Sequence, residues 1–293
     1  MIASPRLVFC SCVAMLVGDA LTSEADAVVV AADNSGQGAY NDGWSTGDNG
    51  GSGFTAWTLQ SSGNAGHFQS PATDNDNGGP PVSATIDAGN DSFGMYANSG
   101  GHSAAYRGFN LTGGGTSLPI GSTFRWSMDN GSIDTTKSVG LVLRSGNASG
   151  DASSATLFSG SRFAFEFEGG QSNYKIIDST APRYLDQVPF RRTGLTLQFT
   201  LSTADTYSFA VTDVVTGDTK TFTGSLVGTA GSAISSFAIY NRDAGFNGHS
   251  NVYFNNFEVN AVPEVSSLVA APFAAGIASL VWMVRVRRNS RAA

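Results

Sequence analysis

Glu166 and Glu168 are the two carboxylates best spaced for joint chemistry. They stand at positions i and i+2 of Arg162-Phe163-Ala164-Phe165-Glu166-Phe167-Glu168, where apolar and polar residues alternate as in a strand, and side chains two apart on a strand share a face. A retaining glycosidase needs such a pair, one nucleophile and one acid separated by about 5 Å. The same alternation sends Phe163, Phe165 and Phe167 to the opposite, core-seeking face. The competing reading of the pair is a solvated outer face, the usual place of glutamates on a half-buried strand.

Two other groups of residues suit binding rather than catalysis. Tyr40, Trp44, Trp57, Tyr96, Tyr106 and Trp126 can form a sugar-stacking platform, because a flat ring covers the apolar face of a pyranose while nearby Asn and Asp bind hydroxyls. Most aromatics of such a domain are expected in its core; Tyr40 and Trp44, which lie in a polar loop rather than an alternating strand, are the better candidates for exposure, although core packing is the leading reading there too, and Trp57 of the 54–59 strand is the third candidate ligand-binding residue. Asp74 and Asp76, with Asp48, Asp129 and Asp134, fall in Asn/Gly-rich stretches whose oxygens suit Ca²⁺. However, Asp74-Asn75-Asp76-Asn77-Gly78 lacks the glutamate that closes an EF-hand, and Asx residues also make turns without metal. No cofactor is expected, and Ca²⁺ is the one metal these loops would suit. The three histidines, His67, His102 and His249, show no metal-ligand spacing.

The elements that must position these residues are strands. With 36 glycines, 41% hydrophobic and 13% charged residues, the chain is neither collagen-like nor disordered by composition. Apolar alternation recurs at 28–30, 54–59, 92–98, 103–110, 122–129, 162–168, 195–201, 206–212, 218–226, 234–241 and 251–259, with Gly, Asn or Asp at the breaks. A helical period is sustained nowhere in the body. The pattern predicts an all-β fold of roughly thirteen strands, an antiparallel two-sheet sandwich of jelly-roll type over residues 28–260. Strand count and size are similar to concanavalin-like lectin and glucanase domains. Laminarinase-type enzymes on such sandwiches carry a third acid further along the strand, where here Gly169 and Gly170 end it. The stretch from Ala39 to Trp57 also resembles the opening of exported bacterial β-domains, a likeness that implies no activity.

Both ends read as addresses. Arg6 precedes the apolar run from Leu7 to Val17, and Ala25-Asp26-Ala27 offers a small-x-small cleavage pattern, so residues 1–27 are expected to be a secretory signal. Cys10 and Cys12, the only cysteines, would leave with it, and disulfides then play no part. At the other end Val262-Pro263-Glu264 is followed by an uncharged apolar stretch, 265–284, long enough as a helix to cross a bilayer core. Arg285, Arg287, Arg288 and Arg291 come next and belong on the cytoplasmic side. This order of motif, span and basic terminus resembles the PEP-CTERM sorting signal of bacteria, with Val265 standing where the family motif has its second proline. The resemblance covers residues 261–293 and implies an exosortase-type membrane peptidase as partner and an exopolysaccharide-rich setting.

The net charge of −7 understates the acidity of the body, because four of the sixteen basic residues lie after Val284. Such a surface repels phosphate backbones, so nucleic acid is not an expected partner. The reading that follows is an exported protein of the cell envelope or cell surface, membrane-anchored at least transiently through its C-terminal helix. It is non-enzymatic and serves glycan or exopolysaccharide binding or matrix structure. The alternative is an extracellular glycoside hydrolase-like enzyme using the Glu166/Glu168 face.

Overall fold

In the computed structural model, which describes residues 27–71, 86–146, 149–246 and 248–262, the alternating segments pair into two antiparallel sheets. The eight-stranded sheet contains β1 (Val28–Asp33), β3 (Ala65–Ser70), β4 (Ser92–Ala97), β6 (Thr123–Asn130), β11 (Leu195–Leu201), β12 (Thr206–Asp213), β13 (Thr219–Ser225) and β15 (Val252–Ala261). The seven-stranded sheet contains β2 (Thr58–Ser62), β5 (His102–Gly108), β7 (Ser138–Arg144), β8 (Ser161–Glu168), β9 (Asn173–Ile177), β10 (Arg183–Pro189) and β14 (Ser236–Arg242). The strand orders are β13-β12-β11-β6-β15-β4-β3, with β1 also on β15, and β10-β9-β8-β7-β14-β5-β2. All these strands fall within one unit, Ala27–Ser266; the other, Met1–Asp26 with Ser267–Ala293, lies outside the described residues.

Each sheet buries its alternate side chains against the other, which is why a period of two specifies the core. Phe163, Phe165 and Phe167 of β8 face Leu197, Phe199 and Phe209 of the opposite sheet within one apolar cluster. Full burial of each such side chain stabilises the fold by about 2–3 kcal/mol. β11 alternates as expected, with Leu195, Leu197, Phe199 and Leu201 buried and Gln198 exposed, and it pairs in full register with β12 through a short hairpin.

Strands β3, β7, β9 and β10 were not anticipated. The clearest reason is in β7, which is buried along its whole length. Val139, Leu141 and Leu143 face the inter-sheet core, while Val142 faces a second apolar cluster on the outer side. A strand buried on both faces does not alternate, so its sequence hides its period. The expected strand at 54–59 begins only at Thr58, and Phe54 makes a lone bridge to Phe109. A short α-helix, α1 (Ser154–Leu157), capped by Ser153, seats Leu157 in that outer cluster.

In β15, Val252 and Phe254 are buried and so are Phe257 and Val259, a change of parity that an unbroken strand cannot make. A bulge between Asn255 and Glu258 supplies the extra residue. Asn256 sits there at φ +53°, a conformation that asparagine tolerates better than most residues. Asn255 is fully buried and pins the bulge, accepting from Ser35 N at 3.0 Å and donating to Asp91 O at 2.9 Å.

Among the described residues no helix is long and apolar enough to cross a membrane. The expected span at 265–284 lies outside the described residues, as do Pro263, Glu264, Arg285, Arg287, Arg288 and Arg291, residues 1–26 of the expected signal, and Asp74 and Asp76. Val262, the first residue of the expected sorting motif, is described and exposed.

Candidate functional site

The outer face of the seven-stranded sheet carries a row of residues in register across all seven strands. Tyr184 on β10 stands beside Lys175 on β9, then Glu166, Gly140, Tyr240, Ala104 and Gln60 on the strands that follow. The Lys175 ammonium lies 2.8 Å from Glu166 Oε1 and also pairs with Glu168 Oε2. Tyr240, two strands from Glu166, donates its phenol to Glu166 Oε2. It reaches over β7 because residue 140 is glycine: a Cβ there would lie 2.7 Å from the Glu166 Cβ and 2.3 Å from Phe165 O. Tyr184 donates its hydroxyl to Glu168 Oε2 at 3.0 Å, and its ring centroid is 5.5 Å from Lys175 Nζ.

This arrangement fixes protonation. The hydrogen bond from Lys175 is the main reason the Glu168 carboxyl is held below its usual range. Burial pulls the Lys175 ammonium down, but Glu166 and Glu168 more than offset it, so its pKa ends above the ordinary value. Burial and then Glu166 push the Tyr240 phenol well above its normal value. A glycosidase acid needs the reverse, a carboxyl raised so that it keeps a proton near neutrality. Here the two glutamates share one ammonium where the scissile oxygen would have to sit, and Glu166 is only 3% exposed. The expected solvated outer face is therefore a buried ion-paired site at Glu166 and a half-buried one at Glu168.

The rest of that face is divided. The segment around α1 covers Val142, Ala164, Ala238 and Tyr106, with Tyr106 donating to Asp151 O at 2.6 Å. Beyond it Tyr184, in the Glu166 row, is 37% exposed; in the Glu168 row Ser138 is buried, and Arg242 and His102, which continue it in register, are half-buried like Glu168. The Arg242 guanidinium lies 5.6 Å from the Phe158 ring centroid at the border of the covered half.

The predicted stacking platform is a correction. Tyr40, Trp44 and Trp57 are 2%, 5% and 1% exposed, so no ligand reaches their faces. They enclose an ion pair between Arg107 and Asp33, both side chains fully buried between the sheets. Tyr40 donates to Asp33 Oδ2 at 2.5 Å and accepts from Trp57 Nε1 at 3.2 Å and Gly50 N at 3.1 Å. Arg107 also donates to Thr55 O at 2.6 Å and Asn49 Oδ1 at 2.7 Å, and its guanidinium lies 4.9 Å from the Phe54 and Trp57 ring centroids. The glycines of this loop serve close packing: at Gly51, φ +67°, a Cβ would lie 1.9 Å from Ala32 O. Trp126 and Tyr106 are likewise buried.

A sequence signal for the buried pair existed. Asp33 and Arg107 share the inward parity of Ala31 and Ala105, and a charge on a core-facing position demands a partner. Lys175, Tyr184 and Tyr240 were missed because their strands are joined only by tertiary pairing. Asp48 accepts from Ser45 N at 2.6 Å, a turn contact. No group of three or more His, Cys, Asp or Glu that could hold a metal occurs among the described residues.

The fold and site define a two-sheet antiparallel β-sandwich with a charge-compensated row on one outer face. No protein-family model and no curated protein matches the chain. Among solved structures it is similar to a basic winged bean lectin crystallised with Tn-antigen, at 9% identity and TM-score 0.41, covering 82% of this chain and 100% of the lectin. It is also similar to a CBM2 module of the Dit protein of Lactobacillus casei BL23 phage J-1, at 14% identity and TM-score 0.42, over 79% and 97% of the two chains. Lectin II from Ulex europaeus gives 12% identity and TM-score 0.38, over 78% and 96%. At these scores the likenesses carry no inference about ligand or activity.

Proposed function

We propose that this chain is an exported, surface-associated sandwich that binds glycan without cleaving it, using the uncovered part of the seven-stranded sheet's outer face. The observation that carries the reading is the Tyr184–Lys175–Glu168 group. A partly exposed ring stands beside carboxylate and ammonium groups already locked in place by one another, so few side chains must be ordered on binding. Fixed hydrogen-bonding groups next to an aromatic face are what a sugar ring requires. The non-enzymatic part rests on Lys175 occupying the space between the two glutamates and on the lowered Glu168 carboxyl.

In this reading residues 1–27 direct export. The tail at 261–293 holds the protein at the envelope, its Val262-Pro263-Glu264 motif being read by an exosortase-type peptidase before the 265–284 span. Replacing Pro263 and Glu264 leaves the span but disturbs sorting; unchanged localisation and terminal mass would remove the peptidase from the account. For the ligand, a polysaccharide panel with and without Ca²⁺ is the test. Binding lost in Tyr184→Ala supports the site, and binding unchanged in that variant moves it elsewhere. Release of reducing ends by the wild type, abolished in Glu166→Gln, would overturn the non-enzymatic reading.

A further inference from the structure

The opposite face of the sandwich contains a cavity of about 340 Å³, lined in part by the β15 bulge. Arg125 and Ser127 of β6, Thr196 of β11, Asn256 and Glu258 of β15, and Asn34 beyond β1 are among its lining residues. Arg125 and Ser127 are two apart on one strand and so share a face. Thr196 is the register partner of Ser127, and Glu258 is that of Arg125.

The walls are already tied down except where a ligand would be held. Asn256 donates to Ile86 O at 3.1 Å and to Ser127 Oγ at 3.4 Å, anchoring the bulge to the cavity edge. Glu258 Oε1 accepts from Asn260 Nδ2 at 2.5 Å, which orients the carboxylate. Arg125 makes no ion pair with any described residue, although Glu258 faces it across the strand pair. One cavity thus offers a guanidinium fork, a fixed carboxylate, and Ser and Thr hydroxyls.

We propose that this cavity is a second binding site, specific for a sugar acid such as a uronic acid unit. Its carboxylate pairs with Arg125 in the two-bond geometry guanidinium favours, and its hydroxyls donate to Glu258. Arg125 is exposed at the mouth of the cavity, so a neutral sugar gains no charge-assisted pair there, and a phosphate brings its greater negative charge against Glu258. The size lies at the small end of ligand cavities, about 300–1,000 Å³, which suits one or two sugar units. Phe257 is buried inward, so recognition here is ionic and hydrogen-bonded rather than by stacking. The site is on the sheet opposite Tyr184 and is independent of the function proposed above.

The test is titration calorimetry of the full-length chain with D-glucuronate, D-glucose and inorganic phosphate. Saturable glucuronate binding is expected, with affinity falling about tenfold or more in Arg125→Gln, as for loss of a charge-assisted pair. Glu258→Gln is expected to narrow the gap between glucuronate and phosphate. Circular dichroism should show all variants folded. Equal binding of glucose and glucuronate, phosphate binding as tight as glucuronate, or full glucuronate affinity in folded Arg125→Gln would each overturn the proposal. Loss of glucuronate binding in Tyr184→Ala but not in Arg125→Gln would place the ligand on the other face and overturn it equally.

Discussion

The Asp33–Arg107 pair and the Glu166–Lys175–Glu168 group put similar charges into different surroundings. The first lies between the sheets with both side chains fully buried and aromatic rings on its flanks. The second lies on an outer face, with Glu166 covered and Glu168 and Tyr184 reaching solvent. A fully buried charge is held only by complete pairing, so Arg107 spends its donors on Asp33, Thr55, Asn49 and Gly50. Four of its five donors are committed in this way, and the side chain is fully buried, out of a ligand's reach. On the outer face the same kind of pairing leaves the rim of the cluster open. An aromatic residue beside fixed charges thus belongs to the core in one place and to a partly exposed outer face in the other. The difference is set by where the charge at their centre is buried.

If that contrast is right, removing one partner of the inner pair produces the largest loss. Arg107→Met should cost about 3–5 kcal/mol in urea unfolding, because it strands the Asp33 carboxylate in the core. Adding Asp33→Leu to the same chain should recover much of it, since an apolar pair of similar volume carries no desolvation cost. A cost under about 1 kcal/mol for the single variant would mean that the pair does not hold the aromatic cluster together.

Next in size is a pH effect at His67, whose Nε2 lies 3.1 Å from Ala104 O and thereby joins edge strand β3 of one sheet to β5 of the other. Burial lowers its pKa from 6.5 to about 4. The unfolded chain therefore binds the extra proton first as pH falls, and stability declines from pH 6.5 to about 4 by at most about 3 kcal/mol. His67→Gln should flatten that part of the profile in thermal melts followed across this range.

Gly140→Ala should cost about 1–3 kcal/mol by overpacking and also separate Tyr240 from Glu166, detectable as a shift in tyrosine absorbance on alkaline titration. The smallest effect on stability belongs to Glu168→Gln, within about 1 kcal/mol for a partly exposed pair. Its folded pKa is depressed, so the wild-type contribution is present above the unfolded carboxyl value and lost as pH falls through the folded one. Glycan binding should suffer more than stability in this variant. The reverse result, large destabilisation with binding intact, would make the outer cluster a scaffold like the inner one.

Much of the sandwich was legible because a half-buried strand writes its burial into alternate residues. β8, β11 and β12 fall within a residue of the expected bounds, and the three phenylalanines of β8 occupy the core as their parity requires. β7 escaped because both its faces are covered. Of the candidate site, Glu166 and Glu168 were legible as neighbours on one face; Lys175, Tyr184 and Tyr240 were not, because their proximity comes from pairing between strands β8, β9, β10, β7 and β14.

By itself the sequence determined what depends on neighbours along the chain: the period of two, the polarity of each strand face and the order of segments at the two termini. Only the tertiary structure decided what depends on neighbours across the chain. It closed the glycine-rich loop over Arg107, which took Tyr40, Trp44 and Trp57 out of reach. It set Lys175 between two glutamates. Finally, it set the bulged Asn256 in the lining of a cavity on the far face, because exposure and electrostatic environment are properties of packing rather than of sequence position.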